Sequence, residues 1–112
     1  MDDEEAKALG RRLAACEGFR PLRGMRDFDG RTWPPDLLFR WKDGVDVPDL
    51  RDPATFGCAL SLAREAHADP YLCIVGDPET GWRADAVTAN VADLHGFASE
   101  AEALVAALEQ KP

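Results

Sequence analysis

The chain has 112 residues and a formal net charge of −8, from 21 Asp and Glu against 13 Lys and Arg. Its length fits a single domain, residues 1–112, that buries roughly 65% of the unfolded chain's surface. A pI near 4.6 argues against a direct nucleic-acid binder or an anionic-membrane binder, because neutralising phosphates takes clustered Lys and Arg.

The predicted elements in chain order begin with a helix over residues 3–17. Ala6, Leu9, Leu13 and Cys16 recur at three- and four-residue steps and make one apolar stripe. Asp2, Asp3, Glu4 and Glu5 lie where the helix dipole favours negative charge, and Gly18 is a natural stop. Residues 19–45 carry Arg20, Arg23, Arg26, Arg31, Arg40 and Lys42. In this stretch Asp29-Gly30 and Asp43-Gly44 read as turns, and alternation over residues 37–42 reads as a half-buried strand. Trp33-Pro34-Pro35 is extended and cannot start a central strand. Asp52-Pro53 opens a second helix, with an acceptor at the N-cap and proline at the first helical position. That helix runs to about His67 and is apolar nearly all round, so burial is expected; Gly57, Ala59 and Ala63 would let it approach a sheet. Residues 71–87 read as a β-hairpin closed by a longer loop, Gly76-Asp77-Pro78-Glu79-Thr80-Gly81. Residues 88–98 add a short third strand. Ser99-Glu100-Ala101-Glu102 is a capping box, and Ala101, Leu104, Val105 and Leu108 form the stripe of a last helix. The order predicts an α+β fold, a small, mostly antiparallel sheet packed by about three helices.

Leu, Ile, Val and Phe total 24 residues while Ala alone contributes 18. That is just above the roughly 20% below which chains tend to be disordered, so the caps and periodicities carry the case for folding. There is no transmembrane run. The acidic start is unlike a secretory or transit leader. Cys16, Cys58 and Cys73 lack disulfide-framework spacing and sit among apolar residues. Together these features predict a cytoplasmic protein with reduced core thiols.

Catalytic signals are sparse. Cys16, Cys58, Cys73, His67 and His95 show neither C-x-x-C nor H-x-x-x-H spacing, so no metal site and no cofactor are expected, with core cysteines and surface histidines instead. Cys58 and His67 are separated by about 13 Å of helix rise, too far for a hydrogen bond. Cys73 with His95 is a workable dyad only if their strands neighbour. The loop at residues 76–81 has no lysine and lies between strands, unlike a phosphate-binding turn. The bases of residues 20–42 interleave with Phe28, Trp33, Phe39 and Trp41 as in a stacking groove, but acids are mixed in and the aromatics have a core-facing period.

The charge is unevenly placed. Residues 1–45 hold nine acids and nine bases, whereas residues 46–112 hold twelve acids and four bases, the whole excess of −8. An acidic face of this kind is steered to a basic surface, although net charge also serves solubility. The candidate partner-contacting residues are Asp77, Glu79 and Asp85 on and beside the hairpin, with Trp82 or Trp33 as aromatic anchor.

Residues 48–66, PDLRDPATFGCALSLAREA, and residues 99–109, SEAEALVAALE, resemble a pattern of small bacteriophage and prophage proteins similar to the phage ABA-sandwich domain type. The resemblance spans residues 48–110, leaves residues 1–47 uncovered and departs between residues 84 and 98. It implies a phage origin and an α/β sandwich, and it carries no catalytic residue. The expectation is a non-enzymatic, cytoplasmic, phage-encoded binding module of anti-defence or anti-CRISPR type, acting as an inhibitor on a host nucleic-acid-binding protein with a basic surface. The alternatives are a small phage enzyme or ligand-binding domain using Cys73 and His95, or a self-assembling structural protein such as a homodimer.

Overall fold

The computed structural model describes residues 2–32, 47–86 and 95–110. Three helices, α1 (Asp3–Ala15), α2 (Pro53–Ala66) and α3 (Glu100–Glu109), accompany an antiparallel hairpin of β1 (Cys73–Asp77) and β2 (Gly81–Asp85). This is an α+β fold whose sheet packs against a helix, as expected. The strand predicted at residues 37–42 lies outside the described residues.

Helix α1 forms for the reasons its sequence gives. The Asp2 carboxylate accepts from the Glu5 N–H at 2.8 Å, and Ala6, Leu9 and Leu13 are buried. Gly10 is buried too. A Cβ there would come within 2.5 Å of the Pro48 carbonyl oxygen, so this glycine lets residues 47–48 cross the helix closely. The helix stops at Ala15, short of Gly18, with the Cys16 N–H donating to the Leu13 carbonyl.

Helix α2 starts at the predicted cap. Asp52 accepts from the Thr55 N–H at 3.0 Å, and Pro53 fills the position that needs no N–H. Thr55 is fully buried, and its hydroxyl accepts from the Arg26 N–H at 2.8 Å. Burial of α2 is narrower than its composition suggests. Thr55, Ala59, Leu62 and Ala63 are buried, while Gly57 is exposed with open space beyond it. Ala59 and Ala63 allow a close approach to α3 rather than to a sheet.

The most enclosed helix is α3. Ala101 and every residue from Ala103 to Leu108 are buried, and α3 packs on α1, α2, β1 and β2. Leu104, Val105 and Leu108 enter the main core with Leu9, Leu13 and Leu62. Ala107 packs on Ala84 of β2, where small side chains bring helix and hairpin together. Ser99 caps α3, accepting from the Glu102 N–H at 3.1 Å.

The hairpin is tighter than predicted because Gly76, Asp77 and Gly81 join the ladder. Only residues 78–80 are left as turn. Gly81 has φ +89, and a Cβ there would meet the Gly96 Cα at 2.9 Å. This close approach allows the Trp82 and Phe97 backbones to exchange hydrogen bonds of 2.9 and 3.1 Å. The expected third strand is a single bridge at Phe97 among the described residues.

Candidate functional site

Charge that is segregated along the sequence is redistributed in space. Arg12 of α1 grips Glu109 of α3 with two hydrogen bonds, of 3.1 and 2.6 Å. Arg20 holds Glu65 at 3.0 and 2.7 Å. Arg51 donates to Asp3 at 2.6 Å and to Asp49 at 3.0 Å. These partners act on each other's protons. The Arg20 hydrogen bond holds Glu65 below the usual carboxylate range, and the Arg51 hydrogen bond does the same to Asp3. Exposed pairs of this kind add little stability, but they decide which charges remain available. Arg12 and Arg20, bases of the balanced first part, neutralise acids of the acidic second part, whereas Arg51 of the second part pairs with Asp3 of the first and with Asp49 of its own.

Asp69 leaves the acidic surface altogether. It is 1% exposed, and its carboxylate accepts from the Tyr71 N–H at 2.9 Å. Asp77, Glu79 and Asp85 remain exposed, and among the described residues they make no ion pair. Asp77 and Glu79 stand at the hairpin turn. Asp77 accepts from the amides of Glu79 and Thr80 at 2.9 and 2.8 Å, and the Thr80 backbone bond leads in lowering its pKa. Asp85 pairs with Cys73 at the opposite end of the ladder, about 13 Å from the turn by strand rise. Arg83 lies between them on the same outward face, because alternate residues of a strand share a face. Trp82 points to the other face and is half-buried.

Trp82 lines a surface hollow of about 500 Å³ with Leu50, Pro53, Phe56, Pro78 and Ala101. Arg51, Ala98, Ser99 and Glu100 complete its wall. A second hollow of about 380 Å³ adjoins it. This one is lined by Ala8, Leu9, Glu5, Arg12 and Glu102, and it shares Ala98 and Ser99 with the first. Sequence reading missed this trench, since its walls come from the starts of α2 and α3, the hairpin turn and one face of α1. Of its residues only Trp82 was singled out, and Trp82 forms a wall rather than a projecting anchor.

The thiols and imidazoles do not converge. Phe97 pairs with the edge of β2 that faces away from β1. That leaves β2 between Cys73 and the exposed His95, so the neighbouring strands that a dyad requires are not found there. His67 is buried, contrary to the expected surface position. It caps α2, and its Nε2 lies 2.6 Å from the Ala107 carbonyl oxygen, which joins the ends of α2 and α3. Burial pushes the Cys16 thiol up to about 11 and raises Cys58, which disfavours the thiolate a nucleophile needs. Among the described residues no group of three or more His, Cys, Asp or Glu is placed to hold a metal ion. No helix of the described residues is long and apolar enough to cross a membrane.

Of the basic and aromatic residues that suggested a stacking groove, Arg20 is bound to Glu65 and Arg31 to Asp27 at 3.0 Å. The Phe28 ring is taken by Lys7 at 5.7 Å and Arg51 at 5.1 Å. Trp33, Phe39, Arg40, Trp41 and Lys42 lie outside the described residues. Comparison of the chain with protein-family models, with curated proteins and with solved structures finds no match. None of the three comparisons links the chain to phage ABA-sandwich domains.

Proposed function

We propose that the chain is a non-enzymatic, phage-encoded binding module that inhibits a host nucleic-acid-binding protein by covering its basic surface. One observation carries this reading: the pairing of charges in space. Arg12, Arg20 and Arg51 are held by carboxylates, while Asp77, Glu79, Asp85 and Glu100 are left exposed without an ion partner among the described residues and outnumber the one exposed base of the hairpin, Arg83. Unpaired surface acids cost little in stability and are what a basic partner is steered by. The phage origin and the anti-defence, anti-CRISPR-type role come from the resemblance of residues 48–110 and are an analogy of class. The partner is met in the cytoplasm of an infected or lysogenic bacterium.

The experiment is co-purification of the tagged chain with a host protein, followed by a nucleic-acid-binding assay on that protein. The proposal expects the chain to compete with nucleic acid, with competition fading as salt screens it. A captured protein that binds nucleic acid equally well with the chain present overturns it.

A further inference from the structure

We propose that the trench made by the two adjoining hollows receives an apolar side chain of the partner, presented on a segment whose flanking residues are Lys or Arg. This rests on the acidic-face reading above and names the partner chemistry. The floor is apolar: Phe56, Trp82 and Ala101 in one hollow, Ala8 and Leu9 in the other. Volumes of about 500 and 380 Å³ fall in the size range of hollows that enclose small ligands.

The ionised residues of the walls divide sharply. Both cations are already committed, Arg51 to Asp3 and Asp49 and Arg12 to Glu109. The acids are held less closely: Glu100 in the first hollow and Glu5 and Glu102 in the second make no ion pair among the described residues, although Glu102 still acts on Arg12 through its charge. Glu79 follows the wall residue Pro78 at the hairpin turn, while Asp77 belongs to the strand face opposite Trp82. The rim is therefore negative around an apolar floor, which complements an apolar residue with basic neighbours.

Competing occupants fit less well. The N-termini of α2 and α3 would attract an anion, but Pro53 has no N–H to give. The Asp52 and Ser99 caps already take the Thr55 and Glu102 amides, and Glu100 repels an anion. A second copy would bring one net charge of −8 against another.

The test uses the full chain, isotopically labelled, with the peptide Lys-Arg-Gly-Leu-Gly-Arg-Lys as probe. Amide shifts are expected at Ala98, Ser99 and Ala101, together with the indole N–H of Trp82. Replacing the peptide's Leu by Ser is expected to weaken binding about tenfold, and replacing its Lys and Arg by Gln to remove the salt dependence. Ala98→Trp places a bulky ring at an exposed position of the wall shared by the two hollows, and is expected to weaken binding at least about tenfold. Equal binding of the Leu and Ser peptides, or undiminished binding to A98W, overturns the proposal. So do concentration-dependent shifts at the same amides without peptide, which would assign the trench to a second copy. The two proposals fail separately. Partner capture that depends on hairpin charge, without Leu-dependent peptide binding, keeps the acidic face and sinks the trench. Leu-dependent peptide binding with capture indifferent to hairpin charge does the reverse.

Discussion

Replacing Asp27 tests how residues 26–32 are held against the core. The Asp27 side chain is 2% exposed. One of its oxygens accepts from the Asp29 and Arg31 amides, both at 2.9 Å. The other accepts from Arg31 Nε at 3.0 Å. The Asp27 N–H also donates to the Arg31 carbonyl at 3.1 Å, so the carboxylate closes the turn from inside. Asp27→Ala strands two amide donors and one guanidinium donor. Each lost bond to a buried charged acceptor costs about 1.5 kcal/mol before solvent relief. Arg31 is 37% exposed, so water recovers part of its share. The net expectation is a loss of about 3 kcal/mol for Asp27→Ala. Asp27→Asn keeps the oxygen that serves the two amides and loses only the Arg31 contact, at about 1.5 kcal/mol. Urea unfolding at neutral pH should show both losses at unchanged slope. Equal losses for the two variants, or less than about 0.5 kcal/mol for the alanine, would refute the idea that amide capture organises this turn.

Three further outcomes are expected. Leu104→Ala, at a fully buried position of α3, should cost about 3 kcal/mol in the same assay, and Leu60→Ala on the half-buried side of α2 under about 1.5; reversed magnitudes would contradict the central place of α3. Cys16, whose folded pKa of about 11 lies above its ordinary value of 9.0, should be alkylated about 100-fold more slowly than an unhindered thiol at pH 8. The stability it contributes should be intact below pH 9 and drain away as pH rises towards 11; alkylation at the free-thiol rate would contradict this. Asp77 has its folded pKa lowered, so its contribution should be present above the ordinary value of 3.8 and lost as pH falls through the folded value. The Glu79 and Thr80 amide resonances should report that loss, and it should vanish in Asp77→Asn, which keeps the acceptor without the charge.

Much of the fold was legible because it rests on local chemistry. Asp52-Pro53 and Ser99 announce helix starts through a cap geometry that needs no tertiary contact, and both N-caps form, the Ser99 hydroxyl supplying its half of the expected capping box. The relative burial of α2 and α3 was not legible. Leu60 and Phe56 outweigh Ala103, Ala106 and Ala107 on any hydrophobic scale. In the fold, though, small size is what lets α3 sit between neighbours on several sides. The same limit hid Thr55, Asp27 and His67, whose partners at Arg26, Arg31 and Ala107 are set by the turn or by distant segments. For the candidate site, the acidity of the hairpin was readable residue by residue. The neutralising pairs were not, because Arg12 and Glu109 lie 97 positions apart. The trench was hidden for the same reason, being assembled from four separate segments.

In the function proposed above, the unpaired hairpin acids recruit a basic partner. The most direct measurement compares capture by the tagged wild-type chain with capture by a variant carrying Asp77→Asn, Glu79→Lys and Asp85→Lys. Here Asn preserves the turn while the other two positions reverse charge on exposed side chains. Native mass spectrometry identifies what is retained across a salt series. A nucleic-acid-binding protein held by the wild type is expected to be lost from the variant, and to be lost from the wild type as ionic strength rises. Equal capture by both proteins, insensitive to salt, would contradict it.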